Sequence, residues 1–217
     1  MAYIVGFVSQ KGGVGKSTLA RMLACEAARG GLNVKIADTD IQQGTSFEWM
    51  KRRAQFGIEP GIRVETFDQV KKAIRESENF DLYIFDGAPH ASRDTREIAT
   101  ASDLIVIPTS QGLDDLNPSI LLGHDLVEAG IAAERICFAL VKVTDSEREV
   151  DDARGYIEQA GYRVLAGQLP VKTAFSKAHD QGRAVSEVPF RSLRKKVDQL
   201  AQSLIDAVSG NEGREAA

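Results

Sequence analysis

The stretch that most constrains this chain is Gln10-Lys11-Gly12-Gly13-Val14-Gly15-Lys16-Ser17-Thr18, set between an apolar run, Tyr3 to Val8, and an amphipathic one, Leu19 to Ala28. Gly12, Gly13 and Gly15 lack a Cβ, so consecutive backbone N–H groups can turn inward around an anion. The helix pattern that follows points its positive end at the same spot. Lys16 would then reach the β- and γ-phosphates of a nucleotide, and the Ser17 hydroxyl would ligate Mg²⁺. Val14 and Thr18 complete the loop. The alternative is a flexible turn with an incidental lysine. A strand before, a helix after and Gly-Lys-Ser in register favour the phosphate loop.

Immediately before Gly12 this loop carries a lysine, Lys11, which the ordinary form of such a loop does not require. The pattern Lys-Gly-Gly-x-Gly-Lys-Ser/Thr resembles the deviant Walker A motif of the ParA/MinD family of P-loop ATPases. That resemblance implies a role for Lys11 as the signature lysine, which crosses the interface of an ATP-sandwich dimer and contacts the phosphates bound by the other subunit. It also implies ATP and Mg²⁺ as cofactors, ATP hydrolysis as the activity and a homodimer as the ATP-bound form.

Apolar runs recur at Tyr3–Val8, Val34–Ala37, Leu82–Phe85, Leu104–Ile107, Ile136–Val143 and Val164–Leu165, with a shorter one from Ile62 to Thr66. Helical spacing separates them. This alternation predicts an α/β fold: a doubly wound, mostly parallel sheet with helices on both faces. Leu104-Ile105-Val106-Ile107 is apolar on successive residues, as a strand buried on both sides requires. One domain over residues 1–208 is expected, with a polar, unstructured tail over 209–217. Cys25 and Cys137 are too few and too far apart for a disulfide scaffold, and no Cys-x-x-Cys occurs, which fits a reducing cytoplasm. The N-terminus lacks a basic leader and a cleavage site, and no stretch has the length of a membrane span.

Ligands of doubly wound sheets gather at the carboxyl ends of the strands, and polar residues lie there in this chain. The second strand runs into Asp38-Thr39-Asp40-Ile41-Gln42-Gln43-Gly44. A carboxylate there can hold a metal water or position an attacking water; solvated turn aspartates are the alternative. The segment is similar to the family's switch I, Asp-x-Asp-Pro-Gln-Gly, with Ile41 in place of proline. That likeness assigns the hydrolytic water to Asp40; Asp38, at the strand end itself, is the candidate metal contact. Asp86 follows the strand Leu82–Phe85 directly, so it acts on Mg²⁺ as a Walker B residue or caps a helix. Asp86-Gly87-Ala88-Pro89 looks like the family's switch II, with Gly87 as its hinge.

Asp115 matches the aspartate of a motif that small plasmid-partition ATPases carry after the fifth strand, although Gly112-Leu113 replaces Ser-Pro. The sixth strand ends in Lys142-Val143-Thr144, where family members often have an adenine-reading asparagine. Leu169-Pro170 resembles the segment beside the adenine and makes Pro170 a nucleotide contact. His124 receives no role.

The net charge of −4 excludes a basic character spread over the whole chain. Locally the balance differs. Lys172 to Lys196 carries seven Lys/Arg against two acids, so this segment is at +5 and the remainder at −9. The segment from Phe175 to Lys196 reads as basic and helical, and Leu193, Val197, Leu200, Leu204 and Val208 form a stripe that docks the last helix. The basic residues are either a solvated face or a surface for DNA phosphates, with Arg191, Arg194, Lys195 and Lys196 as the contacts.

Together these readings point to an ATP-driven DNA-partition switch. ATP would close a dimer that binds DNA non-specifically, hydrolysis would release it, and a ParB-like centromere-binding protein would stimulate hydrolysis. The expected location is cytoplasmic and nucleoid-associated. A switch of the same type that positions a protein cargo is an alternative. A MinD-like membrane switch is another, but Asn211 to Ala217 is unsuited to an amphipathic anchor. A metabolic P-loop ligase would leave Lys11 unexplained.

Overall fold

The computed structural model describes residues 2–90 and 92–212. Eight strands and eight α-helices lie along the described chain and alternate except at the end, where the last two strands precede the last two helices. The strands are β1 Tyr3–Phe7, β2 Val34–Asp38, β3 Arg63–Thr66, β4 Leu82–Asp86, β5 Leu104–Thr109, β6 Ile136–Val143, β7 Arg163–Val164 and β8 Leu169–Pro170. They form one parallel sheet in the order β3-β2-β4-β1-β5-β6-β7, and β8 also pairs with β6. β7 takes the start of β6, at Cys137 and Phe138, and β8 takes its end, at Val141 and Val143.

The period of two in the strands divides the core between two faces. Leu82, Ile84, Leu104 and Val106 pack on one side, while Tyr83, Phe85, Ile105 and Ile107 pack on the other. Helices α1 (Lys16–Arg29), α2 (Thr45–Gln55), α7 (Thr173–Asp180) and α8 (Arg191–Glu212) cover the first face. The second is covered by α3 (Val70–Glu76), α4 (Ser92–Ala101), α5 (Leu113–Glu128) and α6 (Glu147–Gln159). Leu104 to Ile107 is fully buried, as its unbroken apolar run requires.

The structure differs from the sequence reading at two places in the last quarter of the chain. Phe175 to Lys196 is not one helix: α7 ends at Asp180, and 181–190 crosses to α8 with Ala184, Val185 and Val188 buried. Gly182 is the reason. Its φ is +72°, and a Cβ there would lie 2.3 Å from the Arg53 nitrogen, so the chain turns hard against α2. The tail also starts later than residue 209, because α8 continues to Glu212; residues 213–217 lie outside the described residues. The apolar stripe of α8 docks as expected, with Val197, Leu200 and Leu204 fully buried and Leu193 and Val208 at its margins. None of the described helices is long and apolar enough to cross a membrane.

Candidate functional site

β1 delivers the glycine loop to the middle of the sheet, between β4 and β5, where strand order changes direction. Gly13 and Gly15 have φ of +73° and +106°, values that a side chain would resist, and Gly15 is the N-cap of α1. Lys16 is 6% exposed, and its Nζ donates to Ser9 Oγ at 2.9 Å and to the Lys11 carbonyl at 3.4 Å. Burial lowers its pKa from the usual lysine value, against the pull of Asp86 and Asp40.

Asp86 accepts from Ser17 Oγ at 3.1 Å and from Ser46 Oγ at 2.6 Å. Its hydrogen bonds are thus to hydroxyls rather than to helix amides. Asp38, fully buried, accepts from the backbone N–H of Asp40 on Oδ1 (3.1 Å) and from those of Ser46 (2.9 Å) and Phe47 (3.3 Å) on Oδ2. It therefore fixes the start of α2 and has no bond to Ser17. Burial first, and then repulsion from Asp86, pushes Asp38 up to about 6. Burial likewise raises Asp86, while Ser46, Arg21, Ser17 and Lys16 oppose the rise. Asp40 is half-buried, and its Oδ1 accepts from the Gln43 N–H at 3.1 Å.

Of these groups Lys16, Ser17 and Asp40 line a cleft of about 240 Å³. Gly12, Gly13, Gly15, Lys16, Ser17 and Thr18 form one wall; Asp40, Gln43, Thr45, Gly87, Pro89, Arg21 and Lys142 complete it. A buried ammonium, glycine amides and a helix start suit a polyphosphate. A serine hydroxyl beside one carboxylate is the hard oxygen set that Mg²⁺ prefers, with waters filling the remaining positions.

Val14 and Pro170, two expected nucleotide contacts, do not line this cleft, and neither does Lys11, which the resemblance sends to a second subunit. Val14 is buried at 9% exposure, and Pro170 is buried at the end of β8 opposite Val143. Lys11 turns outward to the start of α5, where its Nζ pairs with Asp115 Oδ1 at 2.8 Å and also donates to the Asp114 carbonyl. That pair, with a bond from Ser110 Oγ at 2.6 Å, holds the Asp115 carboxyl below its usual value.

Arg191, Arg194 and Lys195 line an open depression at the start of α8, and Lys196 is exposed beside them. Among the described residues none of the four makes an ion pair. Lys172 is different, since it is bound to Asp145 at 2.9 Å. His124 accepts or donates at Tyr162 Oη, 2.8 Å away, which is a packing role.

Sequence reasoning missed Arg21, Thr45, Ser46 and Lys142. Arg21 is 5% exposed, donates to Ser46 Oγ at 3.1 Å and lies 5.6 Å from the Trp49 ring, and burial takes it down to about 10. Its signal was its position four residues after Ser17, which places both on one helix face.

A parallel sheet with this loop at its centre, and a serine–aspartate pair beside a buried lysine, is a P-loop nucleoside-triphosphatase fold. The chain belongs to the CobQ/CobB/MinD/ParA nucleotide binding domain family, whose model matches residues 5–185. The ParA/MinD members of that family are P-loop ATPases. Among solved structures, the cell division ATPase MinD of Pyrococcus furiosus superposes with a TM-score of 0.75 at 19% identity, over 95% of this chain and 99% of that one. The septum site-determining protein MinD of Pyrococcus horikoshii OT3, complexed with Mg-ADP, gives 0.73 at 17%, over 97% and 99%. A putative plasmid partition protein of Borrelia burgdorferi B31 bound to AMPPNP gives 0.73 at 13%, over 95% and 99%. At these identities the likeness is one of fold. No curated protein sequence matches the chain.

Proposed function

We propose that this protein is an ATP-dependent dimerising switch of DNA partition. The observation that carries the reading is the division of labour between two lysines of one loop. Lys16 is buried in the cleft, while the Lys11 side chain is 41% exposed and turned away from it. Its pair with Asp115 is exposed enough to be worth about 0–1 kcal/mol, so Lys11 is cheaply released to reach phosphates on a second copy.

Within one subunit the glycine amides and Lys16 bind the phosphates of ATP, while Ser17 and Asp86 would hold Mg²⁺, with Asp38 beside Asp86. Bound there, the ion would supply charge neutralisation at the transferring phosphoryl group. Asp40 faces the cleft with one carboxylate oxygen that has no hydrogen bond among the described residues, and that oxygen orients the attacking water. Asp38 and Ser46 tie this segment to α2, so a change at Asp40 is passed to α2.

The dimer binds DNA without reading sequence, through Arg191, Arg194, Lys195 and Lys196, and hydrolysis releases it. ATP shifts this equilibrium only if it binds the dimeric form more tightly than the monomer. A ParB-like partner accelerates hydrolysis, and the protein works in the cytoplasm on the nucleoid. Fluorescence anisotropy of a labelled random-sequence duplex, at one salt concentration, tests the reading. Binding is expected with Mg-ATP and not with Mg-ADP; equal binding with both, or with neither, overturns it.

A further inference from the structure

Lys142 is the extra residue of a β-bulge. β6 and β8 pair through Val141 with Leu169 and through Val143 with Pro170, so Lys142 has no partner across the ladder. Its φ is +56°, in the left-handed region that bulges normally give to glycine. A long side chain there strains the backbone, and strain of this kind persists where the position does something. Packing is not what it does, because Lys142 is exposed and, among the described residues, makes no ion pair.

What the bulge achieves is aim. Lys142 lines the cleft together with Lys16, Ser17 and Asp40, and its Nζ lies 3.9 Å from where a Cβ on Gly13 would be. The ammonium therefore lies beside Gly13 of the glycine loop, while Lys142 also lines the neighbouring cavity with Glu149 and Asp152. It adds to the positive field at Asp115, but that carboxylate is already bonded by Lys11 and Ser110. An ammonium with no bonded acid, held beside amides that suit phosphate oxygens, lacks only the anion.

We propose that Lys142 is a phosphate-binding residue of the nucleotide site, a second cation supplied from the same chain as Lys16. This rests on the nucleotide reading given above.

The test is titration of the full-length protein with a fluorescent ATP analogue and Mg²⁺, followed by its displacement with inorganic tripolyphosphate. Lys142→Gly keeps the left-handed backbone and removes the ammonium, whereas Lys142→Arg keeps the charge. A charge-assisted contact of this kind predicts about tenfold weaker analogue binding for the glycine variant, and arginine within about threefold of wild type. Tripolyphosphate affinity should fall in the same proportion. The thermal midpoint of the nucleotide-free protein should not fall, because glycine relieves the backbone. Unchanged affinity in Lys142→Gly, equal losses in both variants, or a loss that spares tripolyphosphate would each overturn the proposal. If wild type binds the analogue and Lys16→Ala does not, such a failure touches Lys142 alone. If wild type itself does not bind, the nucleotide reading falls and takes Lys142 with it.

Discussion

At the carboxyl end of the sheet Lys16, Arg21, Asp38 and Asp86 are each no more than 6% exposed, whereas at the start of α8 Arg191, Arg194, Lys195 and Lys196 all lie in solvent. The first set is mutually neutralising, and Lys16, Arg21 and Asp86 are held by hydrogen bonds to the hydroxyls of Ser9, Ser17 and Ser46. The second is of one sign and, among the described residues, makes no ion pair, although Asp198 lines the same depression. Buried, crossed charges fix the geometry of one small ligand and shift its titrating groups strongly. Exposed charges of one sign suit an extended polyanion, whose attraction is diffuse and screened by salt.

Between the two regions lies a third kind of charge. Arg53 and Glu187, 1% and 2% exposed, form a two-pronged pair at 2.7 and 2.9 Å that ties α2 to the crossing before α8. Trp49 adds a bond from its Nε1 to the Arg183 carbonyl at 3.1 Å and lies 5.4 Å from the Arg53 guanidinium.

Glu187→Gln is the strongest test of that link. It leaves Arg53 buried without its counter-charge and should cost about 3–5 kcal/mol in equilibrium denaturation. The bonds to Arg53 and Ala184 and the nearby guanidinium charges hold the Glu187 carboxyl below its usual 4.5, against the opposing effect of burial. A lowered folded pKa means stability that is complete above 4.5 and is lost as pH falls through the folded value. Wild type should show that loss on acidification, and the glutamine variant should lack this component. A cost below about 1 kcal/mol would show that the pair adds little to the joint.

Lys16→Ala should abolish nucleotide binding, a loss of about a hundredfold or more by titration, equivalent to roughly 2.7 kcal/mol. Because Lys16 is buried with a lowered pKa, the variant should fold as well as wild type. Normal ATP affinity in it would sink the assignment of the loop. Lys11→Ala sharpens the contrast within the same loop. It should bind ATP as a monomer, with stability changed by less than about 1 kcal/mol; an ATP-induced dimer on gel filtration would count against its role.

The smallest effect on the fold is expected at α8. Changing Arg194, Lys195 and Lys196 together to alanine should leave stability within about 0.5 kcal/mol for each substitution. DNA binding should weaken, and the log–log salt slope should flatten by about 0.9 for each phosphate that is no longer neutralised. Unchanged binding would move the DNA surface elsewhere and dissolve the comparison.

Much of the nucleotide end was legible in the sequence because its parts are local. The glycines, Lys16 and Ser17 are contiguous, and Asp86 directly ends an apolar run, so strand direction alone brings them to one edge. Arg21 was not legible, because an arginine in an amphipathic helix is normally solvated, and only α2 packing over α1 buries it against Ser46 and Trp49. The outward turn of Lys11 was hidden for a similar reason: Asp115 is 104 positions away and meets it only once β5 lies beside β1. The division of the last basic segment into α7, a buried crossing and α8 depends on the approach of Gly182 to Arg53, 129 positions apart along the chain.

By itself, then, the sequence determined the alternation of strands and helices, and it placed the glycine loop after β1 and Asp38 and Asp86 at strand ends, since periodicity and contiguous motifs are written along the chain. Only the tertiary structure decided which charges are buried, which are paired and which way each lysine points. Those depend on desolvation and on contacts between elements far apart in sequence. Asp38 shows the difference: its place at a strand end was readable, but its hold on the first amides of α2 exists only because β2 and α2 pack together.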